Sequence, residues 1–385
     1  MSTGINKLIA LLMLWSAAAF AQVCPAGYGW YQTYTVKASQ ITGTLTNFPV
    51  LVVNNSNWAT VANGGKVQNS NGYDIVWTAG TTTVLSFELV GHGGSSTTYD
   101  ATTGNAEFWI NVSSAAVGSV IYSCFGNSSI NTYQGSDSGT WNSNYLFVHH
   151  YANGSTASYA DSTSHALNGV NTSTTATTGE IDGGIALSGS SQYVTVTGSS
   201  NQLTTANFTL EGWFYQTGTH AFQALIMEPR STGASSDFAA KMDTSSGTTN
   251  KVRCYFYKGN SASLVGPVTD PNTITGSTWI HYACKWDGTN LVLYRNGANV
   301  ANTTSSGNAN TDGATRPFCI GMDDYPAGTP EDFWQGRIDE VHMLNVGEPD
   351  AWFAAEFNNG SSQSGFWTIG TLTANAVAAR KIIGD

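Results

Sequence analysis

Short alternations of apolar and polar residues recur along most of this chain. The clearest is 207–216 (NFTLEGWFYQ). Apolar residues stand at alternate positions, Phe208, Leu210 and Phe214, and Gly212 takes the remaining position of that series. Alternation with a period of two is typical of a β-strand that buries one face. This run therefore predicts a strand whose apolar face looks into a core and whose other face carries polar and aromatic side chains.

Two later runs, 279–297 and 335–344, have the same pattern. The first is interrupted by Asp287–Asn290 and by Asn296-Gly297, sequences that favour tight turns between antiparallel strands. It therefore predicts consecutive hairpins. A single helix is predicted over 348–357, where Pro349 stands near the first turn.

The N-terminal part of the chain has its own set of strand patterns, separated by Gly- and Asn-containing turns. Six strands are predicted, at 29–38, 48–53, 73–77, 84–90, 107–112 and 119–125. Their spacing indicates a small β-sandwich. We therefore divide the chain into a signal peptide (1–21), an N-terminal β-sandwich domain (22–132), a polar linker (133–141), a second β-domain (142–373) and a tail (374–385), and expect the two domains to fold independently.

Composition narrows the classes of function. Charged residues make up 10% of the 385 residues, against roughly 25% in average proteins, and the formal net charge is −11. No cluster of Lys and Arg occurs, which excludes nucleic acid as a natural partner. With 41% hydrophobic residues the chain has ample material for packed cores, so disorder over most of its length is excluded.

The first 21 residues have the pattern of a secretory signal. Lys7 precedes an apolar stretch over 8–20, and Ala19-Phe20-Ala21 matches a cleavage site that leaves Gln22 as the first mature residue. No later stretch is suited to crossing a bilayer. We expect a secreted or periplasmic protein that does not insert into the membrane after cleavage.

Five cysteines follow the predicted cleavage site, and an oxidising compartment permits disulfides. Cys24 and Cys124 lie at opposite ends of the N-terminal domain, and we predict that they are bridged. Among Cys254, Cys284 and Cys319, either two pair within the second domain or all three are buried thiols. Because the number is odd, at least one thiol stays reduced or pairs between chains.

The motifs in several of these runs resemble those of a known family. The sequence W-x-H-Y-A…W-D-G…L-Y-x-N-G over 279–297, the G-x-I-D-E-V strand at 336–341 and the Gly-rich opening at 179–196 resemble the laminin-G-like, concanavalin A-like jelly roll. The N-terminal runs, which end in Phe125-Gly-Asn127, resemble an uncharacterised domain of secreted bacterial proteins that often precedes such a jelly roll. The resemblance implies an all-β fold, a small β-sandwich followed by a laminin-G-like jelly-roll sandwich. It also implies a lectin-like protein that binds a glycan or cell-surface polysaccharide without catalysis.

Strand alternation supplies candidate sugar-binding residues. Sugars offer apolar C–H faces that stack on aromatic rings, and hydroxyls that pair with carboxylates and Arg. The non-core faces of 207–216 and 252–258 carry such side chains, and we expect Trp213 and Tyr255 to share one face of a sheet. The candidates are Glu211, Trp213, Tyr215, Arg253, Tyr255 and Tyr257. The competing interpretation is that these side chains pack under a loop or against the N-terminal domain.

The resemblance also implies a structural Ca²⁺ near one edge of the jelly roll, held by Asp and Asn oxygens. The residues suited to it are Asp161, Asn168, Asp323 and Asp324. No contiguous calcium loop occurs, and polar loop turns are the competing interpretation.

Motifs for catalysis are absent from the sequence. Glu180-Ile-Asp182 has no second Glu at the spacing of paired glycosidase carboxylates, and no nucleophile elbow or H-E-x-x-H occurs. Alternation sends Asp339 and Glu340 to opposite faces, as it does His149 and His150; Asp339 is expected in a buried hydrogen-bond network. We favour binding without catalysis and leave the question of enzymatic activity open. The alternatives are a glycan hydrolase or lyase on the same fold, or a structural or adhesion subunit that binds protein.

Overall fold

A computed structural model describes residues 22–61, 63–92, 99–152, 156–196, 207–219, 222–229, 238–245, 250–259, 263–309, 317–324 and 328–375. Within these ranges the protein is nearly all β, with four antiparallel sheets and three short α-helices. The predicted signal peptide lies outside the described residues. None of the helices in the described part is long and apolar enough to span a membrane.

The N-terminal sandwich consists of two small sheets whose strands fall on the six predicted runs. The strands are β1 (Trp30–Val36), β2 (Thr44–Asn55), β3 (Val76–Thr78), β4 (Phe87–Leu89), β5 (Asn105–Ala116) and β6 (Val120–Phe125). One sheet contains β1, β6 and β3, and the other contains β2, β5 and β4. Apolar side chains fill the space between them, where the rings of Trp77 and Phe108 lie 5.3 Å apart.

The large sandwich follows and also has two sheets. Its strands are β7 (Tyr145–His149), β8 (Gly169–Thr172), β9 (Thr175–Thr178), β10 (Gly183–Ser188), β11 (Tyr193–Val196), β12 (Phe208–Gln216), β13 (Ala224–Pro229), β14 (Phe238–Thr244), β15 (Val252–Tyr257), β16 (Leu264–Thr269), β17 (Trp279–Trp286), β18 (Asn290–Arg295), β19 (Ala298–Thr304), β20 (Phe318–Ile320) and β21 (Gln335–Leu344). The eight-stranded sheet has the order β19-β18-β17-β12-β21-β10-β9, with β7 also paired to β21. The seven-stranded sheet has the order β16-β15-β14-β13-β20-β11-β8.

The core of the large sandwich confirms the predicted strand faces. Phe208, Leu210 and Phe214 of β12 are buried between the two sheets, and the ring of Phe208 lies 5.6 Å from that of Phe256 in β15. The predicted hairpins are also present, since β17, β18 and β19 are consecutive neighbours. Asn296 and Gly297 both have positive φ, 51° and 73°, which a two-residue hairpin turn of this type requires.

The end of the chain returns to the N-terminal sandwich. After the helices α2 (Asp350–Ser361) and α3 (Gln363–Phe366), two short strands, β22 (Trp367–Ile369) and β23 (Thr373–Ala374), pair with β1. The sequence assigned these residues to the jelly-roll domain and the tail. They lie in the N-terminal sheet, where they pair with backbone groups of β1 that would otherwise be exposed at the edge of the sheet.

The two sandwiches share an apolar core instead of meeting through an open linker. Helix α2 lies between them, with the ring of Trp352 4.7 Å from Phe48 of β2 and that of Phe353 4.3 Å from Tyr294 of β18. The predicted linker contains a short helix, α1 (Asp137–Thr140), followed by the buried Trp141. This arrangement differs from the expectation of two independently folding domains.

Two disulfides are present among the described residues. Cys24 is bridged to Cys124, as the sequence predicted, and Cys254 is bridged to Cys284. The second bridge joins β15 to β17 and therefore ties the two sheets of the large sandwich together. Cys319 is a buried thiol 3.4 Å from the carbonyl oxygen of Pro317. Two bridges are typical of a protein that folds outside the reducing cytosol.

Asn359 tests how strongly α2 holds the N-terminal sandwich. Its side chain accepts the N–H of Leu51 (2.7 Å) and donates to the Leu51 carbonyl (2.9 Å), and all of these groups are buried. We expect Asn359→Ala to lower the free energy of unfolding by about 1–3 kcal/mol, because it leaves the Leu51 N–H without an acceptor. Denaturant unfolding measures the change.

The matched control is Asn302→Ala on exposed β19, which should change stability by less than about 0.5 kcal/mol. Equal, small effects of both substitutions would show that α2 does not fasten the two sandwiches together.

Candidate functional site

A cleft of about 520 Å³ opens between the N-terminal sandwich and the large sandwich. One wall is formed by the segment that follows β4 and by 133–138, and the other by 150–152 and 158–163. Polar side chains dominate both walls. The cleft is therefore built by parts of the chain that are far apart in sequence.

The rim of the cleft carries a histidine–carboxylate pair beside an aromatic ring. His92 Nε2 lies 2.8 Å from Asp137 Oδ2, and the imidazole stacks on Tyr133 with ring centres 3.6 Å apart. The Tyr133 hydroxyl lies 2.8 Å from the second Asp137 oxygen. The hydrogen bond with Asp137 raises the pKa of His92 above its ordinary value, which favours the protonated ring.

Glu88 of β4 lies at the inner end of the cleft and joins the two sandwiches. Its Oε2 accepts Trp141 Nε1 at 2.6 Å and lies 3.2 Å from His150 Nε2, while its Oε1 accepts the Ser162 hydroxyl at 2.6 Å. Glu88 and His150 are both about 5% exposed. The buried carboxylate of Glu88, in the N-terminal sandwich, is therefore paired with an imidazole of the large sandwich.

From His150 a row of alternating imidazoles and carboxylates continues under the eight-stranded sheet. His150 Nδ1 lies 2.8 Å from Glu340 Oε2, and His342 Nε2 lies 3.1 Å from the same oxygen. His342 Nδ1 then lies 3.2 Å from Glu211 Oε1 and 3.6 Å from Glu356 Oε1. We call the six residues the histidine–carboxylate chain; they are Glu88, His150, Glu340, His342, Glu211 and Glu356.

Strand geometry explains how the inner part of this chain forms. Glu340 and His342 are two positions apart on β21 and therefore point to the same face. His342 stands opposite Glu211 in the register of β21 with β12. Asp339 stands opposite Trp213, because the register of β21 with β12 shifts between Glu211 and Trp213. It therefore lies on the same face, and the expectation that Asp339 and Glu340 point to opposite faces is wrong. Asp339 is buried, as expected, and its Oδ2 accepts the backbone N–H of Ile181 at 2.9 Å.

Burial and mutual pairing shift the pKa values of the two imidazoles in the histidine–carboxylate chain. Burial lowers the pKa of His150, but Glu340 and Glu88 outweigh it and raise that pKa well above its ordinary value. The pKa of His342 is also raised well above its ordinary value, because hydrogen bonds to Glu211, Glu340 and Glu356 outweigh burial.

The carboxyl groups of the histidine–carboxylate chain have pKa values shifted in opposite directions. Burial would raise the pKa of Glu340, yet His150 and His342 lower it below its usual range. Burial and the neighbouring Glu356 raise the pKa of Glu211 to about 8. The raised pKa values of His150 and His342 favour their protonated rings, and the pKa of Glu211 lies above that of Glu340.

Two groups within the described residues have the geometry of a metal site. One consists of His150, Glu340 and His342, whose facing atoms already satisfy one another through the hydrogen bonds above. The other consists of Glu211, Glu356 and His281, whose ligand atoms lie within 4.8 Å of one another.

The six predicted sugar-binding residues are divided between two sheets. Glu211, Trp213 and Tyr215 lie on β12 in the eight-stranded sheet, whereas the other three lie on β15 in the seven-stranded sheet. The expectation that Trp213 and Tyr255 share one face is wrong, because their strands belong to opposite layers of the sandwich.

Trp213 is covered, as the competing interpretation proposed. Its ring lies 5.2 Å from His281 and 5.7 Å from Phe357 of α2, and it is 4% exposed. Tyr215 remains partly exposed, with Trp279 at 5.4 Å and the Arg337 guanidinium at 5.0 Å.

The β15 residues lie on the outer face of the seven-stranded sheet. Arg253 donates two hydrogen bonds to Asp243, at 2.9 and 2.7 Å, and the hydroxyl of Tyr255 donates to the same carboxylate at 2.5 Å. Tyr257 is partly exposed on the same strand. A role for these residues in sugar binding stays a prediction.

The residues suggested for calcium make contacts within the protein. Asp161 accepts the backbone N–H groups of Val148, Thr163 and Leu167, and Asn168 accepts that of Asp161. Asp323 forms an ion pair with Lys241, and Asp324 accepts the N–H of Gly328. These contacts close loops, and calcium binding stays a prediction.

Sequence reasoning missed the cleft and most of the histidine–carboxylate chain. One signal was available: Glu340 and His342 alternate with core residues on one strand. Glu88, His92 and Asp137 gave no such signal, because nothing in their local sequence indicates which distant segment they meet.

Comparison with known proteins identifies the second part of the chain. Residues 188–346 match the family described as the concanavalin A-like lectin/glucanases superfamily. This segment is a concanavalin A-like domain. The resemblance seen in the sequence is thereby confirmed, together with the all-β fold that it implied. No curated protein matches the chain significantly.

Solved structures similar to this chain include several carbohydrate-binding domains. Domain 4 of the extracellular arabinanase AbnA from Geobacillus stearothermophilus, solved with arabinotriose, is 15% identical; the match covers 55% of this chain and 97% of that one, with a TM-score of 0.41. The Ruminococcus gnavus IT-sialidase CBM40, bound to α2,3-sialyllactose, is 15% identical over 45% of this chain and 96% of that one, with a TM-score of 0.37.

The binding domain of Paraclostridial Mosquitocidal Protein 1 is a further similar structure. It is 14% identical, and the match covers 56% of this chain and 52% of that chain, with a TM-score of 0.43. All three structures are less than 25% identical to this chain and have TM-scores below 0.5, so the likeness tells nothing of a ligand.

The rim pair gives a prediction about protonation. We expect NMR titration to give His92 a pKa above its ordinary value of about 6.5, and Asp137→Asn to lower it, because the substitution removes the carboxylate that holds the proton. The raised pKa means that this pair stabilises the fold below about pH 6.5 and that the contribution is lost as pH rises through the raised pKa.

Asp287→Asn, in the turn between β17 and β18, is the matched control and should leave the His92 titration unchanged. A His92 pKa that does not respond to Asp137→Asn would contradict the pairing.

Proposed function

We propose that the protein binds carbohydrate without catalysis, in the cleft between its two sandwiches. The observation that carries the proposal is that one sugar-sized cleft holds both the stacked rings of His92 and Tyr133 and carboxylate groups. At about 520 Å³ the cleft lies within the roughly 300–1,000 Å³ range of ligand pockets.

The chemistry of the cleft suits a polyhydroxylated ligand. The stacked rings of His92 and Tyr133 offer a flat surface for the C–H face of a sugar. Asp137 can accept hydrogen bonds from sugar hydroxyls, and the Ser136 and Ser138 hydroxyls line the same wall. A purely apolar ligand would leave these groups desolvated and unpaired.

The family match supports the class of ligand but does not locate the site. The matched segment, 188–346, excludes every residue that lines the cleft. The cleft is therefore proposed on its own chemistry. The predicted signal peptide and the two disulfides are consistent with a secreted or periplasmic protein, which would meet glycans or surface polysaccharides outside the cytoplasm.

The second candidate is glycan hydrolysis or cleavage in the same cleft. The specific observation in its favour is that two histidine–carboxylate pairs line the cleft, His92 with Asp137 and His150 with Glu88. Such pairs are suited to moving a proton to or from a reacting oxygen. This candidate requires turnover, which distinguishes it from binding alone.

A substitution that fills the cleft with a large side chain tests the proposal. Ser138 is exposed and lines the cleft, so Ser138→Trp places a large ring where the sugar would lie. After a glycan-array screen of the unmodified mature protein, titration calorimetry with the best oligosaccharide should show Kd raised at least about tenfold, or about 1.4 kcal/mol. Ser306→Trp, at an exposed position after the edge strand β19 and outside the cleft lining, is the matched control and should bind normally.

The other outcomes are equally definite. Loss of binding with Tyr257→Ala and not with Ser138→Trp would move the site to the outer face of the seven-stranded sheet. New reducing ends released from the bound glycan would favour the hydrolase. No binding to any glycan of a broad array would contradict the proposal.

A further inference from the structure

At the inner end of the histidine–carboxylate chain, three polar side chains face one another. Glu211 comes from β12, His281 from β17 and Glu356 from α2. One ring nitrogen of His281 and one oxygen of each carboxylate lie within 4.8 Å of one another. The group is separate from the cleft and is not used by the proposed sugar binding.

Several atoms of this group lack a hydrogen-bond partner within the described part of the protein. They are Oε2 of Glu211, Oε2 of Glu356 and Nδ1 of His281. The side chains of Glu211 and Glu356 are 1% and 9% exposed, and His281 is 2% exposed. Leaving buried polar atoms without partners is costly, and native proteins rarely do so without an ion or another function at the site.

Regular secondary structure holds the three residues in place. His281 stands directly opposite Trp213 in the register of β17 with β12, and Glu211 is two positions from Trp213 on the same face. Helix α2 covers this face, where Phe357 packs 5.7 Å from the Trp213 ring. The geometry is therefore set by two paired strands and one helix instead of by loops.

The remaining oxygens of the two carboxylates are oriented by a neighbour. His342 Nδ1 lies 3.2 Å from Oε1 of Glu211 and 3.6 Å from Oε1 of Glu356. The Oε2 atoms are thus the ones without partners. Residues that bind a metal are commonly oriented by such outer hydrogen bonds.

We propose that Glu211, His281 and Glu356 bind one divalent transition-metal ion of the Zn²⁺ type. An imidazole nitrogen and two carboxylate oxygens are ligands that this class accepts, and three protein ligands are sufficient when water completes the coordination. Ca²⁺ is disfavoured, because it takes six to eight oxygen ligands. The ion would link β12 and β17 to α2 and so fasten the helix that lies between the two sandwiches.

The test uses the mature, tag-free protein after removal of metal by a chelator. Calorimetric titration with Zn²⁺ should show one site per chain, and the melting temperature should rise with Zn²⁺. Co²⁺ should give visible absorption bands of a nitrogen- and oxygen-ligated ion. Each of Glu211→Gln, Glu356→Gln and His281→Gln should weaken binding more than about 100-fold, since loss of even an outer partner costs roughly 10–100-fold.

Two further variants separate the roles. His342→Gln should weaken binding by about 10–100-fold, as an orienting residue does. His165→Gln, at an exposed position, is the matched control and should bind normally. Circular dichroism establishes that each variant is folded.

The proposal is overturned if the unmodified protein binds neither Zn²⁺ nor Co²⁺ more tightly than about 1 mM, or if the three ligand variants bind as the control does. If the ligand variants do not fold, crystals of the unmodified protein are soaked in Zn²⁺, and anomalous scattering locates the bound ion. An ion between Glu211, His281 and Glu356 supports the proposal, and an ion only elsewhere refutes it.

Discussion

The arrangement of this protein depends on the pairing of charges that are buried between its two sandwiches. Removing a carboxylate or an imidazolium from water costs several kcal/mol unless a partner of opposite charge is present. Glu88 of the N-terminal sandwich finds that partner in His150 of the large sandwich, and Glu340 and His342 continue the pairing. A different orientation of the sandwiches would separate Glu88 from His150 and leave the buried Glu88 carboxylate without this partner, so the pair favours one orientation.

The apolar contacts reinforce the same orientation. Helix α2 packs Trp352 on the N-terminal sandwich and Phe353 on the large one, and the strands after it complete the sheet of β1. The chain therefore leaves the N-terminal sandwich, builds the concanavalin A-like domain and returns. The cleft exists because this closed arrangement brings the segments around His92 and His150 together.

Much of the fold could be predicted from local sequence, and the site could not. Period-two alternation located the strands and placed Phe208 and Phe214 in the core, because burial of one face leaves that pattern in the sequence. It could not show that β12 and β15 belong to opposite sheets, nor that α2 covers Trp213. Those facts follow from the packing of whole layers. The pairing of Glu88 with His150 crosses between sandwiches and leaves no local pattern.

The central claim is that the buried charges of the two sandwiches are energetically coupled. A double-mutant cycle on Glu88→Gln and His150→Gln, followed by denaturant unfolding, tests it most directly. The account predicts that the two substitutions together cost less than the sum of their separate effects, by at least about 1 kcal/mol. Effects that add to within about 0.5 kcal/mol would show that the pair is not coupled and would contradict this account of the fold.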